Sequence, residues 1–170
     1  FGVAAGMTGL SLKEAQRRGI AADAAYALRG HHAGYYPGAE QMILKLIYDR
    51  QTGRVLGGQA VGGAGVDKRI DVIATAIHFH GTIDDLAGLD LAYAPQFGAA
   101  KDPMHIAAFG AQNKREGLVA EILPGQEPIG DQLIDVRSEA EFENGSLAGA
   151  KNIPLPVLRQ RLSEIDRSRP

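Results

Sequence analysis

The hydrophobic pattern changes period several times along the chain, and each change marks an element boundary. Phe1 to Gly6 reads as a short strand. Ser11-Leu12-Lys13-Glu14 sets a hydroxyl three residues before a glutamate, the reciprocal cap that opens a helix, and Gly19 supplies its stop. Asp23 to His32 fits neither period cleanly, and part of it is assigned to strand. Met42 to Asp49 is apolar and rich in strand-favouring residues. Arg50-Gln51-Thr52-Gly53 turns the chain and Arg54 to Val61 returns, a hairpin in which Gly53 is free to take positive φ. Beyond a turn at Gly62 to Gly65, Ile70, Ile73, Ala74 and Ile77 recur at helical spacing on one face. Thr82 to Leu86 predicts a single capped turn. Pro103 to about Arg115 predicts a longer helix, capped by Asp102, with Pro103 in its first turn and Gly117 closing it. Strands grouped with helices at one side predict an α+β fold, an antiparallel sheet covered by helices.

A different pattern begins near residue 123. Leu123-Pro124-Gly125-Gln126-Glu127-Pro128-Ile129-Gly130 is dense in turn formers and reads as a linker. Leu133 to Arg137 follows as a short buried strand ending in charge. Ser138 to Glu141 is another capping box, and Leu155 to Ile165 is amphipathic. The expected division is a domain over 1–122, a linker over 123–131 and an α/β segment over 132–170. That segment holds only part of the layers a stable domain needs. Residues beyond about Gly130 are therefore expected to be poorly ordered, packed on a neighbour, or part of a longer protein. Phe1 falls inside a strand, so the chain is expected to begin within a longer protein.

Composition narrows the functions. The 170 residues are 45% hydrophobic with a formal net charge of -2, and the pI is near 6.2. This is no footprint for nucleic acid or an anionic membrane. The apolar runs are too short to span a bilayer, and no signal-peptide pattern opens the chain, so a cytoplasmic location is expected. Cysteine is absent, which excludes disulfides, thiolate metal sites and a thiolate nucleophile within the chain. No metal is expected from the five histidines. His78 and His80 lie two apart and would point to different helix faces, and His31-His32 has no carboxylate at ligand spacing. The glycines from Gly57 to Gly65 are not a dinucleotide loop, because that spacing would require glycine at Lys68.

Candidate chemistry gathers in Tyr93-Ala94-Pro95-Gln96-Phe97-Gly98-Ala99-Ala100-Lys101-Asp102-Pro103. Two prolines stiffen a loop that carries two rings and a cation into a helix start. The segment resembles the Tyr-Ala-Pro-Pro-Phe/Tyr…Lys-Asp-Pro stretch of coenzyme A-disulfide reductases and related NADH oxidases and peroxidases, with Gln96 in place of a second proline. His32-Ala33-Gly34-Tyr35-Tyr36-Pro37-Gly38-Ala39, Gly53 to Gly57 and Gly65 to Ala74 resemble the same family. The resemblance implies a dimerisation domain, a homodimer, and FAD and NAD(P)H in the full-length parent, with neither expected on this fragment alone. It implies that Tyr35 and Tyr93 are the catalytic candidates, reaching across the dimer toward a CoA-type thiol or disulfide. Tyr36 is the alternative to Tyr35. Phe97 would lie near the partner's flavin, and Lys101 near a CoA phosphate or the flavin side; interface filler and a solvated lysine are the plainer readings of these two. Asp135-Val136-Arg137, Glu141-Phe142, Gly145 and Gly149 to Pro154 resemble the opening of a rhodanese module, with Ser146 and Leu147 replacing its usual His and Ile. The chain stops before that family's cysteine. A reductase of CoA disulfide, CoA persulfide or polysulfide is therefore expected for the parent. An NADH oxidase or peroxidase, or a non-catalytic homodimerising module, stands as the alternative.

Overall fold

The computed structural model describes residues 2–122 and 132–168. The segment 123–131 read as a linker lies outside them. The chain divides into two compact units, the first ending at Glu121. The first contains strands β1 (Ala4–Gly9), β2 (Ala22–Gly30), β3 (Gln41–Asp49) and β4 (Val55–Gly62). Its helices are α1 (Leu12–Arg17), α2 (Val66–His78), α3 (Ile83–Ala87) and α4 (Pro103–Arg115).

The four strands form one antiparallel sheet in the order β1-β4-β3-β2. Helices α2 and α4 cover one face, α2 over β4 and β1, α4 over β2 and β3. The core lies between them, built from Leu44, Leu46, Ala60, Ile73, Ile83, Met104 and Ala108, among others. The opposite face leaves Met7, Leu28, Ile43 and Val61 exposed. Glycine allows the close packing of α2 on β4: a Cβ on Gly58 would sit 2.6 Å from Ile73 Cδ1. Gly58 therefore serves sheet–helix packing.

Two boundaries differ from the sequence reading. β1 starts at Ala4 and runs to Gly9, because its length is set by pairing with β4, from Ala4 opposite Gly62 to Gly9 opposite Gly57. The ambiguous stretch is strand throughout β2; its alanines fit either face, which blurs the alternation, and pairing with all of β3 decides the outcome.

The second unit pairs two short parallel strands, β5 (Ile134–Asp135) and β6 (Lys151–Asn152), beside helices α5 (Glu139–Glu143) and α6 (Leu155–Leu158) and a 3₁₀ segment over Arg159–Glu164. Defined elements thus run over 132–168. Arg137 donates to the Asp135 carboxylate at 2.6 Å and to the Gly145 carbonyl at 2.8 Å. Its hydrogen bonds hold the Asp135 carboxyl below the usual carboxylate range. The pair orients a loop.

Candidate functional site

Two loops of the first unit meet at their tips. One follows β2. Within it the Tyr36 amide donates to the Ala33 carbonyl at 3.0 Å, a tight turn that leaves Tyr35 outermost. The other precedes α4. There the Ala94 carbonyl accepts from the Phe97 and Gly98 amides at 2.9 and 3.0 Å, closing a turn over Pro95. A cross-link fixes the two together: the Ala33 amide donates to the Gly98 carbonyl at 2.9 Å.

At the tips the Tyr35 and Tyr93 hydroxyls lie 3.0 Å apart. Both side chains are exposed, and among the described residues neither phenol has another hydrogen-bond partner. One phenol donates to the other, so one O–H remains available to a ligand. The hydrogen bond to Tyr93 is the main cause that raises the Tyr35 pKa above the ordinary phenol value. Tyr36, the alternative, instead meets the His32 ring edge-on at 5.7 Å.

Beneath the tips lies a group that sequence reasoning missed. Arg69, on α2 and 2% exposed, donates through Nη2 to Asp102 Oδ2 at 2.6 Å and through Nε to Asp102 Oδ1 at 3.2 Å. The same guanidinium donates to the Gly65 carbonyl at 3.1 Å and the His31 carbonyl at 2.7 Å. One arginine thus joins α2, the first loop and the start of α4. Asp102 caps α4 through the Met104 amide at 3.0 Å. His105 completes the cap: its Nδ1 accepts from the Asp102 amide at 3.2 Å, and its Nε2 donates to the Leu89 carbonyl at 2.9 Å. These partners require the neutral imidazole with its proton on Nε2. A signal for Arg69 existed. It falls three after Val66 and four before Ile73, inside the buried stripe of α2.

Phe97 is exposed and Lys101 is turned aside, its Nζ 5.3 Å from the centre of the Phe109 ring. The structure brings the two tyrosines together and joins neither Phe97 nor Lys101 to them by a hydrogen bond. Lys101 instead borders a cleft of about 480 Å³ between the end of β2 and the start of α4. The tyrosine pair can donate a hydrogen bond and position a ligand. With no cysteine in the chain, it has no thiolate to attack a sulfur.

Comparison with known proteins places the sequence and fold. Residues 1–104 match the family model described as pyridine nucleotide-disulphide oxidoreductase, dimerisation domain. A coenzyme A disulfide reductase of Staphylococcus epidermidis is 38% identical over 84 residues, 49% of this chain and 19% of that protein. The chain therefore spans about a fifth of the length of that curated relative. Among solved structures, reduced Bacillus anthracis CoADR-RHD superposes with a TM-score of 0.94 at 39% identity, covering 99% of this chain and 31% of the other. An NAD-dependent persulfide reductase from A. fulgidus gives 0.90 at 40% identity, with the same coverage. The water-forming NADH oxidase of Lactobacillus brevis gives 0.67 at 28% identity over 71% of this chain and 27% of its own.

Proposed function

The chain belongs to the dimerisation-domain family of pyridine nucleotide-disulphide oxidoreductases, and from that premise we propose that it completes the active site of a second subunit. In this reading the parent is a homodimeric, FAD-dependent NAD(P)H reductase of CoA disulfide, CoA persulfide or polysulfide. Residues 132–170 are the opening of a fused rhodanese module. The glycine run is packed within the fold and is not read as a dinucleotide loop, since a Cβ on Gly57 would run into the Leu10 carbonyl and one on Gly58 into Ile73. FAD and NAD(P)H are therefore assigned to the remainder of the parent. Phe97 and Lys101 are assigned to the cofactor-facing side of the joined site.

The observation that carries the reading is the hydroxyl pair: two exposed phenols on cross-linked loops, 3.0 Å apart and bonded to each other. Reduction of a CoA disulfide or persulfide releases a thiolate. Thiols ionise near about 8.5 and phenols near about 10, and Tyr35 lies higher still. Its proton is thus held too firmly to be given up outright. The pair acts by donating a hydrogen bond to the departing sulfur and by orienting it.

The NADH oxidase alternative shares the fold. The two reductase structures are nonetheless similar over 99% of this chain, against 71% for the oxidase, which supports sulfur chemistry. Replacing Tyr35 and Tyr93 by Phe in the full-length parent tests the reading. Turnover with CoA disulfide should fall by about 10² while the dimer persists. Unchanged turnover would remove the tyrosines from the reaction.

A further inference from the structure

We propose that the cleft between the end of β2 and the start of α4 binds a phosphate group, held by Arg29, His32 and Lys101. The cleft measures about 480 Å³ and includes Leu28, Gln41 and Ile106 in its walls. No carboxylate borders it among the described residues. This is unusual on a chain with net charge -2, where acidic residues outnumber basic ones.

Both cations are available. Arg29 follows Ala25 and Ala27 on one face of β2, beyond the end of the stretch that α4 buries, and makes no ion pair or hydrogen bond among the described residues. Lys101 has no acidic partner among the described residues either; the Phe109 ring, stacked on His105, lies 5.3 Å from its ammonium without neutralising it. A guanidinium and an ammonium with no carboxylate among the described lining residues favour a dianion.

His32 supplies the third group. It is only 5% exposed, and its Nδ1 lies 3.0 Å from the Ala33 carbonyl. A carbonyl only accepts, so Nδ1 carries the proton. Nε2 is left without a protein partner among the described residues, on a side chain that borders the cleft. Nε2 is open to the cleft and is therefore free to meet a ligand there. It can accept from a hydrogen phosphate, or donate to a phosphate once protonated.

The ligand chemistry is a phosphate, free or carried on a nucleotide such as coenzyme A. The tyrosine pair is not needed for it. Calorimetric titration of the full chain with inorganic phosphate, and separately with coenzyme A, tests the site. Saturable binding that weakens at least about tenfold in Arg29→Ala/Lys101→Ala, but not in Tyr35→Phe/Tyr93→Phe, supports it. Binding of both probes assigns a free phosphate group; binding of coenzyme A alone assigns a nucleotide-borne one. The His32 Nε2 resonance should move on saturation, and a fixed resonance overturns the assignment. No saturable binding, or equal binding by wild type and the cation variant, also overturns it. So does a cation variant that changes the oligomeric state in phosphate-free buffer, since the cations then pair with a second copy.

Discussion

The loop tips and the ground beneath them use polar groups in opposite ways. Arg69, Asp102 and His105 are buried, and together they hold both loops and the α4 terminus through side-chain hydrogen bonds. Tyr35 and Tyr93 are exposed and, among the described residues, hydrogen-bond only to each other. Polar groups that serve the fold are buried and spent on the fold; those left in water with one shared bond are free to serve a ligand. Removing the first kind should damage stability, and removing the second should damage turnover alone.

The largest effect is expected at Arg69. Arg69→Met leaves the Asp102 carboxylate buried without its cation, and should cost roughly 3–5 kcal/mol in a urea unfolding series. A cost below about 1 kcal/mol, as for an exposed ion pair, would break the contrast. For Tyr35→Phe/Tyr93→Phe, the loss of turnover described above should come with an unfolding midpoint close to wild type. A stability loss as large as that at Arg69 would erase the distinction.

His105→Ala ranks next. It strips the Asp102 amide of its acceptor and frees Leu89, at a cost of roughly 1–3 kcal/mol. His105→Gln should recover part of this, since glutamine can rebuild the cap without reaching Leu89. Equal losses in both variants would show that the Leu89 tether carries the whole effect. His80 has φ 57°, and closes α2 with the Gly81 amide on the Ala76 carbonyl and its own amide on the Ile77 carbonyl. That position favours glycine, but glycine also loses the bond from Arg54 Nη2 to His80 Nδ1 at 2.6 Å, so His80→Gly should change stability by no more than roughly 0.5 kcal/mol, read as a nearly constant Tm. The smallest effect is spectroscopic. Tyr35 should ionise above the ordinary phenol range and move back down in Tyr93→Phe, seen by ultraviolet titration at alkaline pH. A Tyr35 titration that ignores Tyr93 would mean the pair does not form in solution.

Much of this contrast was legible in the chain, and the illegible part has a physical cause. Ser11, Thr82, Asp102 and Ser138 announce helix starts through local side-chain bonds, and all four act as caps in the structure. Gly53 announces the hairpin for the same local reason, at φ 74°. Tyr35 and Tyr93 could be picked out because they sit in loop motifs, though not their mutual bond across 58 positions. The Arg69–Asp102 pair spans 33 positions and joins a helix interior to a cap, so no local rule reaches it. His105 escaped because the reciprocal cap usually ends in Glu or Gln, and an imidazole nitrogen fills the place here. The extent of β1 escaped because pairing with β4 decides it.

The central claim is that the tyrosines of one subunit serve the site of the other. Mixed dimers of the full-length parent test it most directly. One subunit carries Tyr35→Phe/Tyr93→Phe, and its partner keeps the tyrosines but lacks the redox cysteine expected outside this chain. A shared two-fold site predicts one intact centre per mixed dimer, and turnover recovered to about half that of the wild type. Turnover no higher than the mean of the two inactive parents would contradict it.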